Sequence, residues 1–121
     1  MEEALANGVI SPSDVDFFSF AATNVASGDS IFVMLLAKDF GSTLDGTIGL
    51  YDASGNLLAG AGNGSRDPVI AFPVPSSSPS TATYEVAVAG FAPASGSSST
   101  GSYTVLVYHC KPGGAHNVAC T

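Results

Sequence analysis

Through most of this chain apolar residues recur at every second position, and the three-to-four spacing of a helix is nearly absent. In residues 15–22, Phe18, Phe20 and Ala22 share one side, and Val15, Phe17 and Ala21 share the other. Residues 83–91 place Tyr84, Val86 and Val88 together, and residues 102–109 place Tyr103, Val105 and Val107 opposite Leu106 and Tyr108. Such short runs, bounded by Gly, Pro, Asn, Asp and Ser, are strands. Residues 30–38 are apolar on both sides, with Ile31, Val33 and Leu35 against Phe32, Met34 and Leu36, which predicts a central strand covered from both faces. Residues 47–51 and 57–59 flank Asp52-Ala53-Ser54-Gly55-Asn56, the pattern of a hairpin with a bulge. Residues 69–74 lie between Pro68 and a strand-ending Pro73, which suits a sheet edge. The last two strands, joined by a Ser/Gly-rich loop, read as an antiparallel pair. Only Glu2 to Ala6 has helix-forming composition, and it is too short to stand alone before Asn7-Gly8.

Seven or eight strands with close turns and no crossover helix cannot easily form a parallel sheet. The expectation is therefore all-β: an antiparallel β-sandwich of the jelly-roll or immunoglobulin-like kind. The 121 residues provide for one domain, with an N-terminal segment over 1–13, a sandwich core over 14–109 and a tail over 110–121.

Charge narrows the partners. Three basic residues, Lys38, Arg66 and Lys111, stand against ten acidic ones, for a net charge of −7. Phosphate recognition requires clustered Lys and Arg, so nucleic acid is excluded as a partner, and an anionic lipid surface would repel the chain. No apolar run reaches the roughly 18–20 residues that span a bilayer, so no membrane insertion is expected. No charged segment followed by an apolar stretch marks a leader within these residues. Cys110 and Cys120 lie in the terminal dozen residues beside His109 and His116. Their spacing lacks the close pairing of a zinc knuckle, and a disulfide pinning the tail is the better-supported reading. By loop closure it would contribute a little under ~3 kcal/mol, and it would imply an oxidising compartment.

Catalytic signatures are missing from the pattern. There is no Gly-x-Ser-x-Gly elbow, and a triad would need an orienting carboxylate and an oxyanion hole for His109 or His116. Both histidines read as solvent-exposed, and a small hydrolase built on either is the weaker alternative. Gly60-Ala61-Gly62-Asn63-Gly64 lacks the Lys-Ser/Thr of a phosphate loop and reads as a connection. Paired carboxylates are the stronger lead. Asp14 and Asp16 point to the same side of an extended chain, with Glu2, Glu3 and Asn7 upstream and Ser11 and Ser13 between. A hard cation such as Ca²⁺ takes six to eight oxygens of these kinds. The competing reading makes Asp14 a turn cap and Asp16 a residue of the strand rim. Asp39, Asp45 and Asp52 read as turn residues, although Asp45 and Asp52 flank one strand and could share a rim. Phe17, Phe18, Phe20, Tyr51, Tyr84 and Tyr103 are expected in the core or half-buried, with Phe91 and Tyr108 the more exposed.

Five stretches, in order, resemble the bacterial pre-peptidase C-terminal domain family. They are Asp14-Val15-Asp16-Phe17-Phe18-Ser19-Phe20; the Gly28-Asp29 turn with its apolar strand; Leu50-Tyr51-Asp52-Ala53-Ser54-Gly55-Asn56-Leu57-Leu58-Ala59; Tyr84-Glu85-Val86-Ala87-Val88; and Thr100-Gly101-Ser102-Tyr103-Thr104-Val105-Leu106-Val107. The family is related to the collagen-binding domains of clostridial collagenases. The resemblance implies a non-catalytic β-sandwich appended to a secreted or cell-surface bacterial protein, with an attached peptidase as neighbour. It further implies Glu2, Glu3, Asn7, Asp14 and Asp16 as Ca²⁺ ligands, and an extracellular protein or polysaccharide as partner. The Glu-Pro-Asn-Asp-like opening common in the family is missing here, and the Cys110–Cys120 tail is foreign to its pattern. The expected role is an accessory or binding module; a self-assembling structural protein of the cell envelope is the other alternative.

Overall fold

The structure, a computed structural model, describes residues 3–11, 14–22, 28–37, 41–62, 67–75, 82–91 and 99–110. These form eight strands: β1 (Glu3–Ile10), β2 (Val15–Ala22), β3 (Ser30–Leu36), β4 (Gly46–Asp52), β5 (Leu57–Ala61), β6 (Val69–Pro73), β7 (Ala82–Gly90) and β8 (Gly101–Cys110). They build two four-stranded sheets, ordered β1-β8-β3-β6 and β2-β7-β4-β5, with every pairing antiparallel. The all-β sandwich anticipated from the alternation is present, and none of the described residues forms a helix long and apolar enough to cross a membrane.

Alternation decides which side chains meet between the layers. Ile31, Val33 and Leu35 from β3 and Val105 and Val107 from β8 face Ile48, Leu50, Val86 and Val88 of the opposite sheet, all of them buried. β-Branched side chains dominate because a branched Cβ packs well on a pleated surface. The β4–β5 hairpin forms as its turn chemistry requires. Asp52 accepts hydrogen bonds from the backbone of Ser54 and Asn56, Gly55 adopts φ +87°, and the register shifts between Leu50 and Tyr51. β6 lies at a sheet edge, as its flanking prolines predicted.

Three elements differ from the sequence expectation. Residues 3–10, read as a segment ahead of the sandwich with helix-like composition at its start, are strand β1. Pairing along the whole of β8 overrides the local preference of a stretch too short to hold a helix. Residues 83–91 and 102–109 are not partners: β7 pairs with β2 and β4, whereas β8 pairs with β1 and β3. The chain changes sheets here at a corner held by backbone bonds from Phe91 to Asp45 and from Ser99 to Phe91, and by Ser99 Oγ, which accepts from the Asp45 amide. β3 is internal to its sheet, but its second face has no covering layer among the described residues. Phe32, Met34 and Leu36 are half-buried there, shielded sideways, with Phe32 stacked on Tyr108 at 5.0 Å between ring centres.

Truncating Leu50 to Ala would open a cavity between the sheets and cost about 2–5 kcal/mol. The same change at exposed Leu57 should stay within ~0.5 kcal/mol. Urea denaturation of the two variants is expected to separate them by that margin.

Candidate functional site

Asp16 sits on the inward face of β2, where a carboxylate must find a partner. The partner comes from the other sheet: the Tyr103 hydroxyl on β8 donates to Asp16 Oδ2 at 2.6 Å. Tyr103 reaches across because Gly8, its neighbour on β1, has no side chain; a Cβ there would overlap the Tyr103 ring. Phe18 packs edge-on against the same ring at 6.3 Å. Burial, the bond to Asp16 and the negative charges of Asp16 and Asp14 together push the Tyr103 hydroxyl well above its ordinary pKa of 10.0.

Asp14 closes a turn ahead of β2, its amide donating to the Ser11 carbonyl at 3.1 Å and its Oδ2 lying 3.5 Å from the Ser11 amide. Asp14 and Asp16 therefore flank one rim of the sandwich. Asn7 does not join them. It alternates with inward-facing Gly8, lies on the outer face of β1 and accepts a hydrogen bond from Thr104 Oγ1. Glu3 begins β1 opposite Tyr108, and Glu2 lies outside the described residues. Among the described residues no group of three or more His, Cys, Asp or Glu side chains converges as a metal site. Two carboxylates fall short of a calcium shell, so further oxygens from carbonyls, hydroxyls or solvent would be needed. Cys110 ends β8 opposite Ser30, and Cys120 lies outside the described residues, as does His116.

The reading of His109 as solvent-exposed is corrected. It is 3% exposed, and its Nε2 lies 2.7 Å from Oδ2 of Asp29, itself 4% exposed. Position 109 continues the inward series 103, 105 and 107, so the alternation already indicated this burial; the missing signal was the partner, 80 residues away in the chain. Asp45 and Asp52 stand at opposite ends of β4 and share no rim. Asp52 is committed to its own turn, where hydrogen bonds from Asn56 hold its carboxyl below the ordinary value.

Of the aromatic residues, Tyr84 and Tyr103 are buried, Phe18 and Phe20 pack partly against the core, and Phe17 is exposed. Tyr108 and Phe91 are half-buried rather than exposed. The outer face of the β1-β8-β3-β6 sheet carries Leu5, Leu106, Met34 and Val69 in one register row, beside the Phe32–Tyr108 pair. At one end of this sheet a shallow cleft of about 240 Å³ is lined by Asn7, Ser42, Ser102 and Thr104, which offer neutral hydrogen-bonding groups.

These features lie on a known framework. The chain matches the crystal structure of the pre-peptidase C-terminal domain of collagenase from Bacillus anthracis with a TM-score of 0.56, covering 88% of this chain and 89% of that one. The likeness is one of fold. Sequence identity is 21%. No protein-family model matches the chain, and no curated protein matches it.

The Tyr103–Asp16 bond has a signature in alkali. A hydroxyl with a raised pKa in the folded state contributes stability that is complete below pH 10 and is lost as pH rises through the folded value. Tyr103→Phe should therefore cost about 1–3 kcal/mol at neutral pH and flatten the decline above pH 10, measured by denaturant titration across that range.

Proposed function

We propose that this chain is a non-catalytic accessory or binding module of an exported bacterial protein, serving to target or support an attached peptidase or similar enzyme. The observation that carries the reading is the fold likeness to a pre-peptidase C-terminal domain along nearly the full length of both chains. Two features of the surface support it. The outer face of the β1-β8-β3-β6 sheet is uncharged from residue 5 onward among the described residues, in a chain of net charge −7. Beside it the neutral cleft at Asn7 and Thr104 offers hydrogen bonds without charge selection. A neutral apolar face with neutral donors at its end suits an extended protein fibre or a polysaccharide, where binding energy comes from packing and hydrogen bonds. The buried state of His109 removes it as an accessible general base, which weakens the hydrolase alternative.

Co-sedimentation of the purified chain with insoluble collagen and with insoluble polysaccharide tests the reading. Retention that falls when Phe32 and Tyr108 are both changed to Ser supports it. Failure to bind any such matrix, or turnover of a peptide or glycoside by the purified chain, would overturn it.

Calcium stabilisation is the secondary part of this reading, with Asp14 and Asp16 as the described ligands. Saturating calcium should raise the melting temperature relative to EDTA by mass action, and Asp14→Asn should reduce the shift. Identical melting curves in calcium and EDTA would remove calcium from the proposal.

A further inference from the structure

Three of the four sheet edges carry a guard against pairing with another chain. β6 is short and framed by Pro68 and Pro73, β5 spans five residues beside a bulge, and β2 turns Asp16 inward. β1 has none of these. It offers eight residues of regular strand, fully paired with β8 on one side and with no strand on the other among the described residues. From residue 4 to residue 13 the sequence is uncharged. Exposed apolar side chains lie on both edge strands of this flank, on opposite outer faces of the sandwich. Of the six large hydrophobic residues exposed on the described surface, Leu5 and Val9 lie on β1, each 63% exposed, and Val15 and Phe17 lie on β2. Between these two edge strands an apolar cleft of about 120 Å³ opens toward the core, lined by Leu5, Ala6, Phe18 and Phe20 at its mouth.

We infer that β1 is a self-association edge whose occupant is the β1 strand of a second copy of this chain. β1 is self-complementary about Asn7. An antiparallel pair with Asn7 on the two-fold axis sets Leu5 against Val9 of the second copy on the outer face, and Ala6 against Gly8 of the second copy on the inner face. Both exposed apolar positions are then covered twice over by the same symmetry operation. Small residues on the inner side let the strands approach without displacing Tyr103 from its place over Gly8. Antiparallel pairing also sends the two Glu3 residues to opposite ends. The β1-β8-β3-β6 sheets of the two copies join into one eight-stranded sheet, and the two clefts turn toward each other and away from water. This inference does not rest on the functional reading above, although Leu5 and Asn7 belong to the face and cleft named there: it concerns the edge and not the ligand.

Sedimentation velocity of the full chain from low micromolar to near-millimolar concentration tests the inference. The mass is expected to double with concentration, and the β1 amides that point away from β8 should gain protection from hydrogen exchange in step. Leu5→Lys with Val9→Lys places like charges opposite each other in this register, as does Leu5→Glu with Val9→Glu. Each doubly substituted chain should remain at monomer mass, and an equimolar mixture of the two should recover the dimer. A wild-type chain that stays monomeric throughout, a dimer that survives either double substitution, or a mixture that fails to associate would overturn the assignment. Both positions are exposed, and a strand-type circular dichroism spectrum with a cooperative melt confirms that the variants fold; should they not, the wild-type mass and exchange data decide alone.

Discussion

The fold depends on a dry seam between two sheets, where Val33 and Leu35 of one layer meet Leu50, Val86 and Val88 of the other with no solvent exposure. Burial of apolar surface is the main favourable term available to a chain with so few charges. Any polar group entering the seam must bring its own partner, because an unpaired one would cost more than a typical hydrogen bond contributes. Two such pairs form among the described residues, each with one member on the inner face of β8. Tyr103 meets Asp16 at one rim, and His109 meets Asp29 at the other. Apolar Val105 and Val107 lie between them. Polar pairs thus close the two ends of the core and leave its centre oily.

Much of this was legible in the residues. A period of two identifies the inward face of a strand wherever one side is buried, and the buried Tyr84, Val86, Val88, Tyr103, Val105 and Val107 follow it. The Asp52–Asn56 turn was equally readable, because an Asp side chain and a Gly at positive φ act locally. Pairing partners were not legible in the same way. Alternation in β7 and β8 states which side faces inward but not which sheet holds the strand, and the chain between them crosses from one layer to the other. β1 was missed because its small residues carry little pattern, and its strand state comes from β8.

The candidate site shows the same division. Local features of Asp14 and Asp16, their common side and the turn at Ser11, follow from spacing. Asn7 lies close in sequence yet on another face, since one residue of register separates the outer surface of β1 from the ring of Tyr103. The bonds that give both inward carboxylates their partners span 87 and 80 residues, a separation no local pattern encodes.

β1 and β8 lie side by side and run in opposite directions, so Glu3 stands opposite Tyr108. A tether pulling at residues 3 and 110 would load the ladder from that end and break its hydrogen bonds in succession, like a zipper. Strands whose attachment points lie at opposite ends are sheared instead and share the load among many bonds at once. This sandwich is thus built to yield gently under tension applied at residues 3 and 110, with β1 the first strand to peel away.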